Sequence, residues 1–165
     1  MVRLCELVRC PEKHAGAITV AGWIKTARAS KTIGFIELTD GSCFKTVQVV
    51  YEQDQVNDET KRALNTGCAI SVQGELLLTP DAPQPFEIHA ASIVIEGECP
   101  GDYPLQKKRH SLEYLRTIQH LRPRANLFQC AFRVRSLAAQ AIHRFFHDRG
   151  CVYVHPPILT GSDCE

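Results

Sequence analysis

The chain has 165 residues, 44% of them hydrophobic, enough for one well-buried domain and part of a second, since domains usually run to roughly 100–150 residues. Met1 to Pro11 is interrupted by Arg3, Glu6 and Arg9 and has no signal-peptide core, no run is apolar enough to span a membrane, and none of the eight cysteines forms a CxxC pair, so they read as thiols of a reducing cytosol with no metal site. The formal net charge of +1 is unevenly spread: residues 1–104 hold nine Lys/Arg against fourteen Asp/Glu, and residues 105–149 hold ten against Glu113 and Asp148, so the second stretch is either a polyanion-binding segment or a solvated helix face.

Apolar residues alternate in Ile18–Ile24 and again in Ile33–Leu38, which runs into the turn signal Asp40-Gly41; both segments predict strands. Thr46–Tyr51 predicts a third. The polar stretch Asn57–Asn65, closed by Gly67, predicts a short helix. Two more strands are predicted at Ala69–Leu78 and Phe86–Ile95, separated by the turn-rich Thr79–Pro85. Five strands with a helix between the third and fourth are the element order of the five-stranded Greek-key OB barrel, an all-β fold. Trp23, in the first strand, is expected to pack the barrel because of its large apolar area.

Gly97 to Pro104 reads as a linker from its Gly, Pro and Asp content. Beyond it, Leu127, Ala131, Val134, Ala138, Ile142 and Phe145 recur at spacings of three and four, which predicts an amphipathic helix over residues 124–149 ended by Gly150. Arg133, Arg135 and Arg144 fall mainly off that stripe. A short strand is predicted at Cys151–His155, stopped at Pro156-Pro157, where amide donors are missing. A helix and one stub of strand cannot close a core, so this part requires more chain or a partner. The expected domains are a barrel over 1–98, a hinge over 99–123 and the opening of a second, truncated domain over 124–165.

Three blocks of the chain stand out. The first is Gly22-Trp23-Ile24-Lys25 with Phe35, Asp40-Gly41-Ser42-Cys43-Phe44 and Val47-Gln48. The second and most specific is Lys108 to Arg116, continuing into His120-Leu121-Arg122-Pro123-Arg124. The third is Phe145-Phe146 through Gly150 to Val154 and Pro156-Pro157-Ile158-Leu159. Together they resemble the asparaginyl-tRNA synthetase family, which belongs with the aspartyl and lysyl families to one subgroup of the class II aminoacyl-tRNA synthetases, and the third block resembles class II motif 1. The resemblance implies an OB-fold barrel that binds the anticodon, followed by a linker and the first helix and strand of an α+β class II catalytic domain cut off at Glu165. It further implies a cytoplasmic enzyme of translation that joins asparagine to tRNA(Asn) with ATP and magnesium, neither of which is expected to bind this chain alone.

An OB face takes single-stranded nucleic acid by stacking bases on aromatic rings while polar side chains read base edges. In the family, the residue at the Phe35 position stacks on the middle anticodon base, a uracil, and the glutamine at Gln48 hydrogen-bonds that base; a carboxamide offers both donor and acceptor. Arg28 matches an arginine near the anticodon, and Glu87 a glutamate that meets the first anticodon base. Read without the family, Phe35 is a core strand residue and the other three are solvated polar groups. No Lys or Arg lies between Gly74 and Pro85, where the aspartyl family carries a basic residue.

No catalytic residue is expected within the chain. Pro157 matches the motif 1 proline of the homodimer interface, against the plainer reading of a strand terminator. Ser162-Asp163-Cys164-Glu165 resembles the start of a substrate-binding segment in which Glu165 meets the ammonium group of the amino acid. Two other readings stand beside this one: a fragment of aspartyl-tRNA synthetase, and a free-standing OB module for single strands. The block after residue 105 has no place in the second of these.

Overall fold

The computed structural model describes residues 1–156 and Gly161; Pro157 and Glu165 lie outside the described residues. The chain separates into two compact units, Met1–Leu115 and Arg116–Glu165, so the segment expected as a hinge, 99–123, is divided between them. Among the described residues no helix is long and apolar enough to cross a membrane.

The first unit is a closed barrel with strand order β1-β2-β3-β5-β4. Its strands are β1 (Gly16–Ala29), β2 (Ile33–Thr39), β3 (Val47–Glu52), β4 (Ala69–Leu78) and β5 (Phe86–Gly97). The alternation in β2 shows why these segments are strands: Gly34, Ile36 and Leu38 are buried, while Phe35 and Glu37 between them are not. β1 is long enough to serve two neighbours. Gly16–Trp23 pairs with β4 and Trp23–Ala29 with β2, both antiparallel, with a bulge between Ile24 and Thr26. The strand turns from one partner to the other beside Gly22, where a Cβ would stand 2.5 Å from the Thr39 carbonyl oxygen; only glycine admits that approach. Closure comes from the parallel pairing of Val49 with Ile88 and Val50 with His89 between β3 and β5. Ile18, Val20, Ile24, Ile36, Leu38, Val49, Ile70, Val72, Leu76 and Ile88 fill the interior.

Helix α2 (Asp58–Ala63) lies between β3 and β4, and Asn57 caps it by accepting from the Thr60 amide at 2.7 Å. Sequence periodicity alone does not reveal α1 (Leu4–Arg9), whose Leu4 and Leu7 are fully buried in the barrel core. Its own N-cap, Arg3, offers no side-chain acceptor. The Asp40-Gly41-Ser42 turn supplies it: Leu4 donates to Asp40 Oδ2 at 2.8 Å and Cys5 to Ser42 Oγ at 3.0 Å. The same carboxylate accepts from the Ser42 amide and hydroxyl. Burial alone would raise the Asp40 carboxyl, but the hydrogen bonds from Ser42 and from the Leu4 amide outweigh it and hold the group below its ordinary value. A six-residue helix is marginal by itself, so α1 exists because the distant turn and the core hold it.

After β5 comes α3 (Leu112–Thr117), opened by Ser111, whose hydroxyl accepts from the Tyr114 amide at 3.2 Å. The His110 and Tyr114 rings stack at 5.3 Å, and the buried Leu115 anchors the turn.

In the second unit, α4 (Asn126–His147) follows a 3-10 turn at Arg122–Arg124. The helix expected over 124–149 is therefore shorter by two residues at each end, and Gly150 beyond it has a positive φ of 80°, the left-handed conformation common after helix ends. Arg122 lies over the Phe128 ring and Arg149 over Phe145 at 3.5 Å. The strand expected at Cys151–His155 is not formed: the segment has no ladder partner among the described residues, and an extended segment becomes a strand only by pairing.

Candidate nucleic-acid interface

The outer face of β1, β2, β3 and β5 gathers the polar and aromatic residues named from the sequence. Cross-strand register sets Arg28 opposite Phe35, and Glu37 opposite both Thr26 on β1 and Gln48 on β3. Phe35 is 40% exposed, so the plain expectation of a core strand residue does not hold for it. Its neighbours Gly34 and Ile36 face the interior. The buried Tyr51 ring occupies the space a Cβ on Gly34 would need, which keeps the backbone under Phe35 close to β3.

Gln48 is fixed at both ends of its amide. Its Nε2 donates to Glu87 Oε1 at 2.9 Å, and its Oε1 accepts from Gln84 Nε2. A carboxamide has two N–H donors and two lone pairs, so one donor and one acceptor of Gln48 remain for a ligand. The other Glu87 oxygen is 3.8 Å from His89 Nε2. Arg28 Nη2 is likewise 3.8 Å from Glu37 Oε1, with both side chains well exposed. A pair so open to solvent contributes little to stability, and the guanidinium stays available to a phosphate or a base edge.

The structure thus brings Gln48 and Glu87 into direct contact and sets Arg28 beside Phe35. Sequence reasoning misses Gln84, which reads there only as part of a turn. Its signal is weak: the Thr79 hydroxyl donates to the Gln84 carbonyl at 2.8 Å, and the Thr79 amide to that of Pro85 at 3.0 Å, so the loop's closure, not a sequence period, aims Gln84 at Gln48. Trp23 also departs from expectation. It stands opposite Thr39 and Ala69 and is 42% exposed, because the adjacent Ile24 takes the inward position and leaves the indole on the outer face.

A family model described as an OB-fold nucleic acid binding domain matches residues 18–96. The chain is 58% identical over 161 residues to an asparagine–tRNA ligase of Alkaliphilus oremlandii, covering 97% of this chain and 35% of the relative. It is 60% identical over 162 residues to the asparagine–tRNA ligase of Acetivibrio thermocellus, with the same two shares. It therefore spans about a third of the length of these curated relatives. Among solved structures, asparaginyl-tRNA synthetase from Pyrococcus horikoshii complexed with asparaginyl-adenylate superposes with a TM-score of 0.81 at 23% identity, over 95% of this chain and 36% of that one, a likeness of fold.

Proposed function

We propose that this chain, which belongs to the asparaginyl-tRNA synthetase family over 97% of its length, forms the anticodon-reading part of an asparagine–tRNA ligase. In that reading the outer barrel face holds the tRNA(Asn) anticodon. Phe35 stacks on the middle base, the free donor and acceptor of Gln48 meet that base's edge, and Glu87 meets the first base while orienting Gln48. Arg28 lies beside Phe35 to neutralise the backbone or contact a base edge. The observation that carries this is the pairing of an exposed ring with a carboxamide held in one orientation by Glu87 and Gln84. Preorganisation of that kind lowers the ordering cost of binding.

The similarity continues past the barrel into the helical unit, which favours a synthetase over a free-standing OB module. The relatives' names favour asparagine over aspartate. The whole enzyme would activate asparagine with ATP and magnesium and transfer it to tRNA(Asn) in the cytoplasm. Among the described residues no group of three or more His, Cys, Asp or Glu could hold a metal ion. Pro157 at a homodimer interface and Glu165 at the substrate ammonium are further assignments of the whole enzyme, supported by the motif resemblance and, for the interface, by the exposed apolar stripe of α4.

The test is binding of an RNA stem-loop carrying the asparagine anticodon. Phe35→Ala is expected to lose ~1–3 kcal/mol of binding with its melting temperature unchanged, and Gln48→Glu to lose discrimination for uracil because the amide donor is gone. Binding by Phe35→Ala equal to that of the parent chain would sink the reading.

A further inference from the structure

Trp23 is exposed on the same sheet face as Phe35, and neither the core nor the anticodon reading uses it. Register fixes its place: Phe35 is opposite Arg28, Glu37 opposite Thr26, and Thr39 opposite Trp23, while Ile36 and Leu38 between them point inward. From Phe35 to Thr39 is four residues along β2, about 13 Å at ~3.3 Å per residue. Stacked bases rise about 3.4 Å per nucleotide, so a base flanking the triplet, two nucleotides from the one on Phe35, lies only about 7 Å along while the loop stays stacked. It reaches Trp23 when the loop unstacks and its bases splay out, the form in which proteins take single-stranded loops. The cations nearby suit a polyanion crossing this face: Arg28 is exposed on β1 beside Phe35, Lys25 is at the β1 bulge, and Lys31 is exposed in the turn that follows β1, while the outward pair between the two rings is Thr26 and Glu37. Indole is also a strong stacking surface whose edge tolerates water.

We propose that Trp23 is a second stacking platform, which takes an unpaired loop base flanking the anticodon triplet, so that the loop is gripped at two points on one sheet face. The inference rests on the anticodon reading above and adds a contact outside the three bases that specify the tRNA. Because stacking is tolerant of base identity, this contact raises affinity without changing which anticodon is preferred.

Trp23 is the only tryptophan in the sequence, so its emission reports on this site alone. Stem-loop RNA with the asparagine anticodon is titrated into the 165-residue chain, with binding followed independently by the anisotropy of labelled RNA. Saturation is expected to quench Trp23 emission and shield it from acrylamide. Placing an abasic nucleotide next to the triplet is expected to abolish the quenching and keep the matched-to-mismatched ratio. Trp23→Ala is expected to weaken binding roughly 5- to 150-fold, and Trp23→Phe to restore most of it. RNA bound with Trp23 emission and acrylamide access unchanged overturns the proposal and leaves the anticodon reading intact. Absence of any anisotropy change, or a Phe35→Ala chain that binds like its parent, overturns the anticodon reading itself.

Discussion

The barrel strands and α4 both place apolar residues at the period of their own secondary structure, and the two regions treat those residues in opposite ways. Ile36, Leu38 and Val49 are fully buried, whereas α4 has no buried residue, and Leu137, Val134 and Ile142 are each about 60% exposed or more. Periodicity decides which element forms. Burial depends on whether the element has a complementary surface. A sheet that closes on itself presents both sides of its own core, while one amphipathic helix presents a single stripe that another surface must cover.

Core substitutions sharpen that contrast most strongly. Ile36→Ala removes a fully buried side chain from beneath the Phe35 face and is expected to cost about 2–5 kcal/mol. Leu137→Ala, at 66% exposure, is expected to change stability by no more than ~0.5 kcal/mol. Urea unfolding of the two variants measures both. Equal losses would mean that the α4 stripe is covered in solution, and the contrast between the units would fail.

A smaller effect is expected at the junction of α1 with the barrel. Asp40→Ala removes the acceptor that caps α1 and should cost about 0.5–2 kcal/mol. The pH dependence has a definite sign. Because the folded Asp40 carboxyl titrates below its ordinary value of 3.8, its stabilisation is fully present above that value and is lost as pH falls through the lower folded one. Thermal melts of parent and variant should therefore differ at neutral pH and converge in strong acid. A gap that stays constant on acidification would show that the carboxylate's ionisation contributes nothing.

The same contrast explains what is readable in the sequence. The five strands are legible because a barrel needs an unbroken inward–outward alternation, and β4 occupies the expected Ala69–Leu78. α1 is not, because its amides are satisfied by Asp40 and Ser42, more than thirty residues away. In the candidate site, Phe35, Gln48, Arg28 and Glu87 are legible as residue types. Their adjacency is not, since the Gln48–Glu87 hydrogen bond depends on the parallel closure of β3 on β5. Trp23 misleads because its size argues for burial while the inward position belongs to Ile24. The extended segment at Cys151–His155 has strand composition and, among the described residues, no strand to pair with.

The smallest effect on stability, and the most informative about function, is expected from charge outside the barrel. Lys107, Lys108, Arg109, Arg135 and Arg144 are all exposed, and their replacement by glutamine should move unfolding by no more than ~0.5 kcal/mol. If the basic stretch holds the body of a tRNA, each phosphate left without its cation lowers the slope of log K against log salt by about 0.7–0.9. Binding of whole tRNA should then weaken and become less salt-sensitive, with an unchanged preference for the matched anticodon, because phosphate contacts position the nucleic acid and do not read its sequence. Phe35→Ala should give the converse pattern: weaker binding to matched and isolated stem-loops with the salt slope preserved, since stacking releases no counterions. Parallel salt titrations of the two variants separate the contributions. An unaltered slope in the glutamine variant would assign those five side chains to a solvated surface.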